Sequence, residues 1–255
     1  MPFILLVSLG PPLYKALGVK LMSHNVRFSR LADLDILTTD IDKNKPTVIL
    51  LHGYGADHND LVGLAGLVDP GKNFNWVFPN APIALPMSFF GIGRAWFELD
   101  VATIEQRFVP GSPLNFAEYL PKGLDEAGVT IQKLVESLAL NHGSIILGGF
   151  SQGAMVSCHA ALTKLKPIKA LLQLSSTLIA RQLWQSKLEE RNDLSIFQSH
   201  GIFDPVLPFE AAKKLSEIFQ KNQSLAEFHP FQGGHEIPAP IIESLSQFLS
   251  QIKST

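Results

Sequence analysis

Three kinds of residue in this chain could together carry out nucleophilic acyl chemistry: a serine on a tight turn, a histidine able to take its proton, and a carboxylate able to orient that histidine. The serine is Ser151, set in Gly149-Phe150-Ser151-Gln152-Gly153. An apolar, strand-like run, Ser144-Ile145-Ile146-Leu147-Gly148, comes directly before it and a segment of helical character directly after. In the G-x-S-x-G pattern a strained strand-to-helix turn lifts the hydroxyl clear of the sheet, and glycines two residues to either side prevent collisions there. The helix start behind Ser151 also supplies free N–H groups and a positive dipole end where negative charge would develop on a substrate oxygen. The plainer alternative is a glycine-rich turn whose serine only caps a helix; the strand before and the helix after favour the nucleophile.

With a nucleophile of this type the partners follow in the order Ser, Asp or Glu, His. His229 and His235 are the only histidines after residue 204. His235 lies on the turn Gly233-Gly234-His235, between a strand-like run and the closing helix, whereas His229 falls inside the strand-like run. A general base reaches a serine hydroxyl from a loop at the sheet's C-terminal edge, so His235 is the candidate base. Asp204 is the candidate acid: it follows the strand-like Ser195–Ser199 by way of His200-Gly201-Ile202-Phe203, and Pro205 then turns the chain. Asp193 stands before that strand, at the opposite edge, while Glu210 and Glu227 fall in a helical and a strand-like segment. The plainer role for Asp204 is that of an Asp-Pro turn former.

A tetrahedral intermediate carries a negative oxygen that two backbone donors must hold, and the residue after the nucleophile, Gln152, supplies one N–H. The other is expected from Leu51-His52-Gly53-Tyr54-Gly55-Ala56-Asp57, a loop whose glycines let backbone approach a ligand closely; the N–H of Tyr54 is the natural donor. Rival readings of this loop fail on its residues. Gly53 and Gly55 lack a third glycine because position 58 is His58, and no Gly-Lys-Ser/Thr follows, so neither nucleotide fingerprint is complete. His52, Asp57 and His58 share no helical face with ligand spacing. Neither a metal nor a cofactor is expected.

Bringing these residues together calls for a sheet whose strand ends converge on one edge. Apolar runs of strand length alternate with longer segments of helical period, the pattern of a mostly parallel sheet flanked by helices. The expected strands are Leu34–Thr39, Thr47–Leu51, Trp76–Phe78, Ser144–Gly148, Ala170–Leu174, Ser195–Ser199 and Ala226–His229. Helical spacing links Ile131, Leu134, Val135 and Leu138, then Ala211, Leu215, Ile218 and Phe219, and finally Ile241, Ile242, Leu245, Phe248 and Leu249. The stretch from Pro79 to Pro113 reads as one long irregular loop, too aromatic to be disordered. Its Phe89, Phe90, Ile92 and Trp96 are candidates for an acyl pocket, with core packing as the alternative and the favoured role for Trp96.

A chain of 255 residues can bury one large core, and 46% hydrophobic against 17% charged residues suits a packed globular protein. The formal charge of −2 and the absence of like-charge runs make nucleic acid and anionic membrane poor partners. The single cysteine, Cys158, excludes an intrachain disulfide and a cysteine zinc cluster. The apolar run from Phe3 to Leu9 is too short to span a bilayer and lacks the basic front of a secretory signal, so no integral membrane segment and a cytoplasmic location are expected. Met22 begins a polar stretch that reads as an ordinary N-terminus. Residues 1–21 are therefore expected to form an extension outside the core, with 22–255 as the domain, and a protein begun at Met22 should still fold.

Taken together the blocks resemble the phospholipase/carboxylesterase family of α/β hydrolases, which includes acyl-protein thioesterases. The resemblance rests on Leu51-His-Gly-Tyr-Gly-Ala-Asp57, Phe78-Pro-Asn-Ala-Pro82, Arg94-Ala-Trp-Phe97, Gly149-Phe-Ser-Gln-Gly153, His200-Gly-x-x-Asp-Pro-Val-x-Pro208 and Gly234-His235-Glu236, in family order. It implies an α/β-hydrolase fold in a single domain without a large cap. It also implies Ser151, Asp204 and His235 as a catalytic triad, with Tyr54 and Gln152 as oxyanion donors. No cofactor is implied, and the substrate would be a small-molecule ester or lipid-like compound. The Tyr-Gly-Ala-Asp loop and Gly-His-Glu-Ile are more similar to bacterial carboxylesterases than to eukaryotic acyl-protein thioesterases. A carboxylesterase or lysophospholipase-like activity is expected, with an acyl-protein thioesterase as the alternative. From another class, a non-catalytic receptor on the same fold would not need all three triad residues, and a peptidase would usually carry a further domain. The sequence leaves a homodimer open.

Overall fold

The unbroken apolar runs of the central strands call for a sheet covered on both faces, and the computed structural model has one. It describes residues 25–87, 91–99, 116–138, 144–191, 194–223 and 225–253. In chain order the elements are β1 (Arg27–Leu31), β2 (Leu34–Thr38), β3 (Thr47–Leu51), α1 (Val62–Val68), β4 (Asn75–Pro79), β5 (Ile83–Met87) and β6 (Gly91–Ala95). After these come α2 (Leu124–Ser137), β7 (Ile145–Phe150), α3 (Gln152–Thr163), β8 (Ala170–Leu174) and α4 (Arg181–Glu189). The chain continues through β9 (Ser195–Gly201), α5 (Phe209–Asn222), β10 (Ala226–Phe231) and α6 (Ala239–Lys253).

Eight strands form one sheet in the order β1-β2-β4-β3-β7-β8-β9-β10. From β4 to β10 every neighbouring pair is parallel, and only β1 with β2 and β2 with β4 run antiparallel. This is the α/β-hydrolase architecture, as expected. Parallel strands need both faces buried, and their period of two separates the side chains cleanly. Ile49 and Leu51, Ile145 and Leu147, Leu171 and Ile196 face a core shared with α2, α3, α4 and α5. Val48 and Leu50, Ile146, Leu172 and Phe197 face a second core closed by α1 and α6. The periodic residues read from the sequence behave accordingly: Ile131, Leu134 and Val135 of α2, Leu215 and Phe219 of α5, and Ile241, Leu245, Phe248 and Leu249 of α6 are all buried.

Two features differ from the sequence reading. β1 pairs with β2 at the sheet edge, yet four of its five residues are exposed, so no alternation marked it as a strand. The stretch expected to be irregular from Pro79 contains the β5/β6 hairpin, with Ile83 paired to Ala95 and Met87 to Gly91. Its sequence, Ile83-Ala-Leu-Pro-Met87 and Gly91-Ile-Gly-Arg-Ala95, interrupts the apolar pattern with proline and glycine, residues that weaken a strand prediction. Phe89 and Phe90, Asp193, and the expected extension 1–21 lie outside the described residues.

Candidate active site

Ser151 directly follows β7 and is the N-cap of α3, and its backbone is strained: φ is 54° and ψ −118°, a conformation that non-glycine residues rarely adopt. The strain is held from both sides. The Ser151 N–H donates to Leu174 O at 2.9 Å, tying the turn to β8, while Ser151 O accepts from Ala154 N at 3.0 Å. The turn is tight enough that a Cβ on Gly149 would collide with the backbone of Gly153, and a Cβ on Gly153 would collide with Leu51 and His52 O. Glycine at both positions is thus a steric requirement.

Asp204 and His235 come from the loops after β9 and β10, two adjacent parallel strands whose C-terminal ends lie side by side. His235 Nδ1 lies 2.6 Å from Asp204 Oδ2, with the Asp204 side chain fully buried and that of His235 13% exposed. Asp204 is rigidly held: its Oδ1 accepts the N–H groups of Val206 at 2.8 Å and Leu207 at 2.9 Å. A proton on Nδ1 donated to Asp204 leaves Nε2 of His235 free to act as a base. The imidazole packs on the ring of Phe150, the residue before Ser151, with centroids 4.8 Å apart. Burial alone would push the Asp204 carboxyl up, but the hydrogen bond and charge of His235, joined by the Leu207 and Val206 N–H groups, outweigh it and hold the carboxyl below its ordinary range.

The loop after β3 comes up against Ser151 from the other side: a Cβ built on Gly53 would lie 3.4 Å from the Cβ of Ser151. Among the described residues neither the Tyr54 nor the Gln152 N–H has a hydrogen-bond acceptor, as a donor awaiting an oxyanion requires. The loop is pinned by β6, through Gly55 N to Arg94 O at 2.8 Å and Arg94 N to Ala56 O at 2.9 Å. A serine, an oriented imidazole and free donors at one sheet edge are equipped for acyl transfer.

The sequence signature of the phospholipase/carboxylesterase family matches residues 35–253. The chain belongs to this family. It is accordingly a carboxylic ester hydrolase of the serine type, and the esterase has relatives of two kinds. Acyl-protein thioesterase 1 of Debaryomyces hansenii is 29% identical over 204 residues, covering 74% of the chain and 83% of the relative. That of Schizosaccharomyces pombe is 25% identical over 219 residues, covering 81% and 90%. Among solved structures, esterase PE8 superposes with a TM-score of 0.64 at 25% identity, covering 92% of this chain and all of that one. The carboxylesterase from Mesorhizobium loti has a TM-score of 0.65 at 18% identity over 89% and 99% of the two chains, a likeness of fold.

Of the remaining expectations for the esterase, His229 lies on β10 with its Nε2 3.0 Å from Glu227 Oε2 and its ring on Phe197, away from the Asp204 loop. Ile92 lies in β6. Trp96 is only 2% exposed and its indole N–H is spent on His52 O at 2.9 Å, so it belongs to the packing beneath the loop and not to an open acyl pocket. His52 is 1% exposed and both ring nitrogens are engaged, Nδ1 with Gly53 O at 2.8 Å and Nε2 with Ala81 N at 3.1 Å, which leaves no lone pair for a metal. Burial drives its pKa down to about 4, against the opposing pull of the Gly53 carbonyl. The sequence reading missed His200, buried near the C-terminal end of β9 with Nε2 2.9 Å from Leu207 O and 3.4 Å from Asp204 Oδ2. Its place four residues before the candidate acid was the available signal. No described helix is long and apolar enough to cross a membrane.

Proposed function

We propose that the chain hydrolyses carboxylic esters through an acyl-enzyme on Ser151, with His235 as general base and then general acid, and Asp204 as the group that orients it. The observation that carries this reading is the 2.6 Å contact between His235 Nδ1 and the buried Asp204, at the sheet edge where Ser151 stands in its strained turn. In the first half-reaction Ser151 Oγ attacks the ester carbonyl while His235 Nε2 takes its proton. The carbonyl oxygen becomes an alkoxide held by the N–H groups of Tyr54 and Gln152. Collapse expels the alcohol, which receives the proton from His235; water, activated by the same nitrogen, then releases the acid. Asp204 keeps the Nδ1 proton in place and stabilises the imidazolium that forms in each half.

A thioester substrate is the second reading, favoured by the acyl-protein thioesterase relatives at 25–29% identity. Both substrates use the same residues and differ in the leaving group. Turnover of p-nitrophenyl esters and of an acyl-thioester by wild type and Ser151→Ala tests both. Loss of at least about 10⁴-fold on the preferred substrate is expected for the variant. Near-normal turnover in a folded Ser151→Ala sample would reject Ser151 as the nucleophile, and a folded wild type that neither turns over these substrates nor is labelled at Ser151 by a fluorophosphonate would favour a receptor. The ratio of ester to thioester kcat/KM decides between the substrates.

A further inference from the structure

Two peptide N–H groups can share one oxygen only if the separation between them is fixed before the substrate arrives, because donors that must reorganise during reaction stabilise less. Tyr54 and Gln152 belong to segments far apart in the chain. Tyr54 stands in the loop after β3 and Gln152 at the first position of α3, next to the strained Ser151 turn. Trp96, at the end of β6, is hydrogen-bonded into both segments. Its backbone N–H donates to Gln152 Oε1 at 2.9 Å, and its indole N–H donates to His52 O at 2.9 Å. The Gln152 amide is held at a second point, where its Nε2 donates to Phe97 O at 2.8 Å.

His52 carries the restraint to the donor itself. Its Nε2 accepts the Ala81 N–H, so Nδ1 bears the proton and donates to Gly53 O at 2.8 Å. The Gly53 carbonyl and the Tyr54 N–H belong to one planar peptide unit and point in opposite directions. Fixing the carbonyl therefore fixes the direction of the N–H. The rings of His52 and Trp96 lie 5.4 Å apart, and His52, Trp96 and Gln152 are each no more than 2% exposed, so water does not compete for these bonds.

We propose that Trp96, through His52 and Gln152, is a positioning residue of the oxyanion hole, holding the Tyr54 and Gln152 N–H groups at one separation and direction. This rests on the acyl-transfer mechanism above. A phenyl ring keeps part of the aromatic packing but is smaller than indole and lacks its N–H; the proposal concerns that one donor, and the His52 variants below probe the same restraint without changing the ring at position 96. Losing the indole N–H releases the His52–Gly53 peptide, the unit directly before the one that carries the Tyr54 N–H, and so loosens the backbone on which both His52 and the Tyr54 donor are set.

The test uses Trp96→Phe, with p-nitrophenyl butyrate as substrate and an aliphatic trifluoromethyl ketone as inhibitor. The ketone adds Ser151 Oγ to its carbonyl carbon; the proton passes to His235 and the charged hemiketal oxygen occupies the oxyanion hole. Trp96→Phe is expected to lower kcat about 10- to 100-fold and weaken ketone inhibition by a similar factor, while KM changes less than about threefold. A folded Trp96→Phe with kcat and ketone affinity at wild-type levels overturns the proposal. So does an effect confined to KM, which would mean that the ring only shapes the pocket. Should Trp96→Phe not fold, His52→Asn and His52→Gln decide. The asparagine amide can still donate toward Gly53 O, whereas glutamine reaches the Ala81 N–H but cannot donate to Gly53 O. Asparagine retaining more kcat than glutamine supports the restraint, and equal activity refutes it. Ser151→Ala run alongside separates the two levels: if it keeps turnover the mechanism itself falls, and if it is inert while Trp96→Phe is unimpaired only the positioning role falls.

Discussion

Replacing Gly201 by alanine should disable the His235–Asp204 pair without touching either residue. Gly201 ends β9, and a Cβ there would lie 2.5 Å from Gly233 O and closer still to Gly234 O, where ordinary contact begins near 3.4 Å. Both obstacles are backbone carbonyls and cannot rotate aside as a side chain would. Gly233 O moreover accepts the Phe203 N–H at 3.0 Å, so that segment is anchored to the Asp204 loop. The overlap of about 1 Å must be relieved by pushing Gly233 and Gly234 outward, and His235 is the next residue along. A shift of that size stretches the 2.6 Å contact with Asp204 beyond hydrogen-bond range. Misplacing a catalytic group by about 1 Å costs on the order of 100-fold in rate. Forcing a group into a packed site costs about 1–3 kcal/mol, which a domain of ordinary stability, about 5–15 kcal/mol, survives. The expected result for Gly201→Ala is therefore a folded protein with kcat down about 100-fold on p-nitrophenyl butyrate and little change in KM. Steady-state kinetics with a denaturant titration on the same samples would check both halves. A kcat within a factor of about three of wild type would show that the loop yields without moving the imidazole and would refute this reasoning.

Asp204→Asn should keep the fold yet lower kcat by about 10⁴-fold, since an amide no longer selects the tautomer with the proton on Nδ1; pre-steady-state acylation would locate the loss in the first chemical step. The depressed Asp204 carboxyl also predicts a stability effect: its contribution is full above the ordinary carboxylate range and is lost as pH falls through its lower folded value, so the stability gap between wild type and Asp204→Asn should close in acid. His52 makes a separate prediction. Its pKa falls from 6.5 to about 4 on folding, so the unfolded chain binds the extra proton between those values and folding weakens as pH drops through that window. The effect is about 3 kcal/mol across the window, and urea titrations at pH 7 and pH 4.5 should show a smaller pH dependence in His52→Asn than in wild type.

Sequence by itself determined the architecture and the candidate triad because both are written in local pattern. Continuous apolar runs along Thr47–Leu51 and Ala170–Leu174 mark doubly buried strands, the run into Gly149-Phe-Ser-Gln-Gly153 marks a strand-to-helix turn, and loops after β9 and β10 necessarily open on the same edge of a parallel sheet. Local pattern failed where burial did not follow a period: β1 is exposed, and the β5/β6 hairpin is broken up by Pro86, Gly91 and Gly93. Only the tertiary structure decided the roles of His52, Trp96 and Gly201. His52 read as a stray metal candidate and Trp96 as pocket or packing, because neither residue's neighbours in sequence reveal its partners. Those partners lie 29, 44 and 56 residues away, at Ala81, between His52 and Trp96, and at Gln152. They meet because the ends of β4, β3 and β7 lie side by side in the sheet although β7 is far along the chain from the other two, and hydrogen-bond direction across such distances is set by strand order and packing, which no local periodicity encodes.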